Sequence, residues 1–167
     1  MQDPCVTSTR RSSRPPLDAI DRKIVTALQR AGRASNVELA AKVHLSAPQC
    51  FRRTRALEER GVITGYTARV DAQALGYDVT AYVAVSIASD QFNRMREIER
   101  ELAAYPQVLE YHTVSDDHDY LLKVVAHDLK DLSQLLTDRL MQIAGVDDVR
   151  SMIALEEVKP PSPVPVE

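Results

Sequence analysis

A chain of 167 residues is long enough for one ordinary domain or two small ones, and its 44% hydrophobic content can build a core. No apolar run spans a bilayer and no apolar segment follows the N-terminal arginines. Neither a membrane span nor a secretion signal is therefore expected, and the expected place is the cytoplasm. The net charge of -3 hides an asymmetry: up to Leu75 there are 13 Lys+Arg against 7 Asp+Glu, and beyond it 8 against 17, which suggests that the first part faces a polyanion.

In chain order, residues 1–16 hold little to bury and read as a flexible arm. Asp18 caps a predicted helix to about Arg30, with Ile20, Ile24, Ala27 and Leu28 on one face, and Gly32 ends it. Ser35 and Glu38 form a capping box that opens a second helix with Leu39, Ala40 and Val43 inward. Three residues later Ser46 starts a third helix, with Pro48 tolerated in its first turn and Gly61 at its end. Helix, short turn, helix is a helix-turn-helix pattern.

A 3.6-residue wheel sorts the third helix into two sides. Cys50, Thr54 and Leu57 share one, with Ala47 and Phe51 beside them. Gln49, Arg52, Arg55 and Ala56 point the other way, and Arg53 lies at the border. Guanidinium forks suit guanine edges or phosphates, and an amide reads adenine, so this face is predicted to meet double-stranded DNA. Cys50 fits as a small core residue, and Cys5 lies in the arm. The two make neither a disulfide framework nor a metal-ligand spacing.

From Val62 the period changes. Residues 62–71 alternate loosely and suggest a short β extension, giving a winged-helix-like unit over 17–71, and residues 72–78 read as a hinge. "VTAYVAVSI" puts Val79, Ala81, Val83, Val85 and Ile87 on one strand face, and the sheet face bearing Val83, Val85 and Ile87 is a candidate for pairing with another subunit. Residues 91–104 carry a helical stripe of Phe92, Met95, Ile98 and Leu102. Two strands, 107–115 and 119–127, flank a polar turn. Residues 128–144 place Leu129, Leu132, Leu136, Leu140 and Ile143 at helical spacing, and residues 146–158 hold a last strand. The order βαββαβ predicts a ferredoxin-like domain over 79–158, so the fold class is α+β. The Pro-rich tail, 159–167, should stay extended and flexible.

No nucleophile–base pair, Gly-rich phosphate loop or HExxH pattern occurs, so no enzyme and no cofactor are expected. His112 with Asp116, Asp117, His118 and Asp119 holds metal-compatible side chains, but one local cluster in a turn reads as a solvated hairpin, so no metal is expected.

Three phrases resemble the Lrp/AsnC ("feast/famine") transcription regulators over about residues 17–158. They are "LDAIDRKIVTALQRAGRASNVELAAKV", "LSAPQCFRRTRALEERGVITGYTARVD", and "DYLLKV" followed by "AGVDDVRSMIALEEVK". The resemblance implies a DNA-binding regulator whose second domain assembles homodimers, then octamers, and senses an amino acid. It places Ser46, Gln49, Arg52 and Arg53 in the major groove, with Arg55 added from the wheel. It centres the effector site on Ser115, Asp116, Asp117, His118, Asp119 and Tyr120, with Asp119 on the effector's ammonium. Val114, Leu121 or Ile153 as an apolar wall would favour a leucine- or methionine-like effector. The family commonly has Gly where this chain has His44 and Asp116, so both are expected at positive φ. An extra carboxylate at Asp116 would repel an effector carboxylate. The rival reading is an architectural DNA-binding protein that ignores ligands.

Overall fold

The computed structural model describes residues 16–166 and divides them into two compact units. The first holds the chain up to Ala68 together with Pro161 onward, and the second is Arg69–Pro160. The arm expected at residues 1–16 lies outside the described residues except for its last position.

In the first unit, helix α1 (Ala19–Arg30) begins where the Asp18 carboxylate accepts from the amides of Ile20 at 2.9 Å and Asp21 at 2.7 Å. Helix α2 (Asn36–Val43) opens on the predicted capping box: Glu38 accepts from the Ser35 amide at 2.7 Å, and Ser35 Oγ from the Glu38 amide at 3.3 Å. Helix α3 spans Ala47–Glu59. Ile24, Leu28, Leu39, Ala40, Val43, Cys50 and Leu57 meet in one core, as their helical spacing requires. Residues 62–71 form no strand, contrary to the expected β extension. A strand exists only through a ladder, and among the described residues none pairs with residues 62–71.

The second unit begins with a 3-10 turn, Gln73–Leu75, inside the expected hinge, where Gly76 takes φ 84. Its sheet contains β1 (Val79–Ile87), β2 (Val108–Thr113), β3 (Tyr120–Ala126) and β4 (Val146–Ala154) in the order β2-β3-β1-β4, with every neighbouring pair antiparallel. Helix α4 (Met95–Ala103) and helix α5 (Leu129–Gln134) complete the βαββαβ order. Register places Ala81, Val83 and Val85 beside Val124, Leu122 and Tyr120, and all six are fully buried in one core with Ile98, Leu102, Leu132 and Leu140. The face of Val83, Val85 and Ile87 is thus covered from within the chain and is not a free pairing face. A sheet with helices on one side must bury its apolar residues there. The opposite face carries Tyr82, Lys123, Arg150 and Met152.

The helix expected over 128–144 changes winding. After α5 come a π turn, Leu135–Arg139, and a 3-10 turn, Leu140–Gln142. The π turn inserts a residue, so Leu135 and Leu140 both reach the core while Leu129 stays exposed. Residues 89–94 are likewise 3-10, which leaves Phe92 half exposed. Gly145 adopts φ 106, and a Cβ there would lie 2.9 Å from Ile98 Cδ1, so glycine is required where the chain turns into β4.

Candidate nucleic-acid and effector sites

The path from α2 to α3 is set by His44, which caps α2 at φ 58 and ψ 47. A left-handed non-glycine residue costs about 1–2 kcal/mol, and here it makes the chain reverse within three residues. Ser46 then donates to Gln49 Oε1 from Oγ at 3.0 Å and from its amide at 3.3 Å, which holds the first turn of α3. Cys50, Thr54 and Leu57 anchor the inner side of α3, and burial pushes the Cys50 thiol up, towards the neutral form.

The three arginines of α3 have separate environments. Arg52 is exposed and pairs with no acid among the described residues. Arg55 reaches Glu59 at 3.0 Å, an exposed i,i+4 pair that DNA can displace at little cost. Arg53 turns inward: its Nη1 meets Asp18 Oδ2 at 2.6 Å and Asp21 Oδ1 at 2.7 Å, where the Asp21 side chain is only 11% exposed. Arg60 approaches the other Asp21 oxygen at 3.6 Å. The Asp21 amide, and then Arg53, hold the Asp18 carboxyl below its usual range. Arg53 is a strut between α3 and the start of α1, and its guanidinium is withheld from the outer face. The wheel located Arg53 at the border but not its partners, since Asp18 and Asp21 lie more than thirty positions away in sequence. Two acids three apart at a helix start were the available signal.

The turn between β2 and β3 holds Ser115, Asp116 and Asp117 exposed, with His118 and Asp119 half-buried. Asp119 organises it. Its amide donates to Val85 O at 3.0 Å, its carbonyl accepts from the Val114 amide at 3.1 Å, and its Oδ2 accepts from the Ile87 amide at 2.7 Å. The His118 ring shares a 2.9 Å hydrogen bond with the Ser86 hydroxyl. Asp116 is not at positive φ, because His44 is the sole non-glycine residue there among the described residues. This turn is therefore built without the left-handed residue expected at that position. Tyr120 is fully buried and its hydroxyl donates to Glu99 at 3.2 Å. Its burial, and then the Glu99 charge, raise the phenol's pKa. Its side chain belongs to the core, not to the surface of the turn. Alternation from Leu122 and Val124 places it there. Among the described residues no group of three or more His, Cys, Asp or Glu is arranged to hold a metal ion, and no helix is long and apolar enough to cross a membrane.

Residues 17–58 match the model of the AsnC-type helix-turn-helix domain, and residues 80–164 match that of the Lrp/AsnC ligand binding domain. The chain is 42% identical over 146 residues to the leucine-responsive regulatory protein of Rhizobium meliloti (strain 1021), covering 87% of this chain and 94% of that one. Its structure is similar to a transcriptional regulator of Neisseria meningitidis solved in complex with L-Met, with a TM-score of 0.85 and 32% identity over 89% of this chain and 96% of that one. It is also similar to the feast or famine regulatory protein of M. tuberculosis complexed with L-methionine. There the TM-score is 0.80 and the identity 33%, over 86% of this chain and 95% of that one.

Proposed function

The chain belongs to the Lrp/AsnC family of transcriptional regulators, with a helix-turn-helix DNA-binding domain and a ligand-binding domain, and from that premise we propose a sequence-specific regulator that senses a small amino acid. The observation that carries the DNA half is α3, pinned by Cys50, Thr54 and Leu57 and turning Gln49, Arg52 and Arg55 to the other side. Arg52, whose exposed guanidinium pairs with no acid among the described residues, reads a base or grips a phosphate. Gln49 and Ser46 contact DNA from the first turn, and Arg55 exchanges Glu59 for a phosphate. Arg53 serves the interface indirectly, by fixing the angle of α3 against α1. One helix-turn-helix presents too few contacts for tight binding, so the working form is at least a homodimer, and an octamer is the larger assembly proposed. A regulator of DNA works where the DNA is, in the cytoplasm.

The sensing half rests on the turn of residues 115–119. A zwitterionic amino acid needs backbone donors beside a carboxylate, and this turn offers both on a main chain already fixed by Asp119. Two neighbouring structures of this fold hold L-methionine, which favours a methionine- or leucine-like effector. The second oxygen of Asp119 is the candidate partner for the ammonium group. The exposed Asp116 carboxylate opposes the effector's own carboxylate, and this keeps ligand-independent architectural binding as the second reading.

The test titrates L-methionine and L-leucine, to millimolar concentration, into the intact protein and Asp119→Asn. Asparagine keeps an acceptor for the Ile87 amide and removes the charge. An amino acid at a hundred times its Kd should stabilise the intact protein by about 2.7 kcal/mol, visible as a raised Tm, and shift the oligomer distribution. Asp119→Asn should keep its own Tm and lose the response. No response in either protein selects the architectural reading, and an equal response in both moves the site away from Asp119.

A further inference from the structure

We propose that residues 161–166 are a strap that docks on α1, so that the DNA-binding unit is joined to the second unit by two stretches of chain rather than one. Sequence alone reads this stretch as a flexible tail. The structure instead groups Pro161 onward with the first unit.

The chemistry of docking is specific. Prolines at 160, 161, 163 and 165 leave Ser162, Val164 and Val166 as the sole amide donors between 160 and 166. Ser162, Val164 and Val166 therefore carry every backbone N–H donor of the docked stretch. Gln29, on the exposed side of α1, meets this stretch at Val164. Its Oε1 accepts from the Val164 amide at 2.7 Å, and its Nε2 donates to the Val164 carbonyl at 3.0 Å. One carboxamide thus satisfies both polar groups of Val164, a pairing that a carboxylate or an ammonium group cannot make. Two residues on, Val166 forms one wall of a groove of about 550 Å³ whose other lining residues include Arg22, Lys23, Ala27, Lys42 and Val43 from α1 and α2.

Prolines also make docking inexpensive in entropy, because a proline-rich segment is already extended before it binds. Binding is intramolecular, so even a weak dock is well occupied at the effective concentration the chain imposes. The free chain between β4 and the dock is short: β4 ends at Ala154 and the strap begins at Pro161. A second short connection restricts how far the DNA-binding unit can turn. It therefore limits the spread of positions from which α3 approaches DNA. The inference is independent of amino-acid sensing and stands whichever reading of the turn at 115–119 holds.

Hydrogen exchange at the Val164 amide in the intact protein tests the dock. Expected is exchange at least about tenfold slower than in an unstructured peptide, because the amide is held in a closed hydrogen bond. Gln29→Ala, which does not weaken an exposed helix position, should abolish the protection. Exchange at the peptide rate in the intact protein, or equal protection in Gln29→Ala, overturns the assignment. The tether is tested by pulsed electron spin resonance on spin-diluted protein labelled at Val37→Cys and Leu129→Cys, exposed positions of the two units, in a Cys5→Ser background. Removal of residues 161–167 should broaden the distance distribution. Equal widths with and without the strap overturn the tether.

Discussion

Arg53→Ala lowers the stability of the DNA-binding unit by about 1–3 kcal/mol, the magnitude of charged hydrogen bonds lost from a nearly buried carboxylate. Asp21 retains its 3.6 Å ion pair to Arg60 once Arg53 is gone, and Asp18 loses the contact that ties the start of α1 to α3. Calorimetry should show the fall as a drop of several degrees in the Tm of the first unit, with the second unit unaffected. Arg53→Lys should recover part of the loss, since an ammonium group can stand in for the single Nη1 that bridges the two acids but lacks the guanidinium's reach and fixed geometry. The same cluster sets an acid limit. Asp18 titrates below its ordinary value of 3.8, because its ionised form accepts from the Asp21 amide and pairs with Arg53. Its contribution is complete above that value and declines as pH falls below it, towards the folded-state pKa. An unchanged Tm in Arg53→Ala would remove the strut.

Arg52→Ala does the reverse: the fold stays intact and DNA binding fails. Arg52 is exposed and makes no side-chain hydrogen bond or ion pair among the described residues, so its loss should change stability by less than about 0.5 kcal/mol. Affinity for a specific site should fall by about 1–3 kcal/mol, roughly ten- to hundredfold, with preference relaxed at one base position if the side chain reads a base. If it holds a phosphate, affinity falls on every sequence and the salt slope drops by about 1. Fluorescence anisotropy at several salt concentrations separates these outcomes. Measured together, the two variants assign adjacent arginines to different tasks: one sustains the helix and the other uses it. Equal DNA affinity in Arg52→Ala and the wild type would take the outer face of α3 out of the interface.

Local periodicity was enough to place most of the fold. Val79–Ile87 alternates and is a strand over that span, and the capping box at Ser35 and Glu38 opens α2 where the sequence puts it. The core side of α3 was legible because its neighbours in space are four residues apart in sequence. What escaped depended on distant partners. The Arg53 strut needs Asp18 and Asp21, and the dock at Gln29 needs Val164, a pairing 135 positions apart. Strand alternation locates the apolar face of β1 but not what covers it, and the face of Val83, Val85 and Ile87, expected to pair with another subunit, is covered by this chain's own helices. A π turn between Leu135 and Arg139 has no periodic signature, since it arises where helix packing forces in an extra residue. The candidate effector turn has no periodic signature and rests on the family resemblance, and Tyr120, next to it in sequence, is buried in the core of the second unit.

The proposal that α3 makes this chain a sequence-specific DNA-binding regulator is tested most directly by selection from a random duplex pool with the intact protein at physiological salt. The expected enrichment is a near-palindromic site with half-sites about one helical turn apart, roughly 34 Å or a multiple of it, because paired recognition helices enter successive major grooves. Enriched sites should bind at least about a thousandfold more tightly than random duplex at the same salt. A pool that emerges unenriched, with one affinity for all duplexes, would contradict sequence-specific reading by α3.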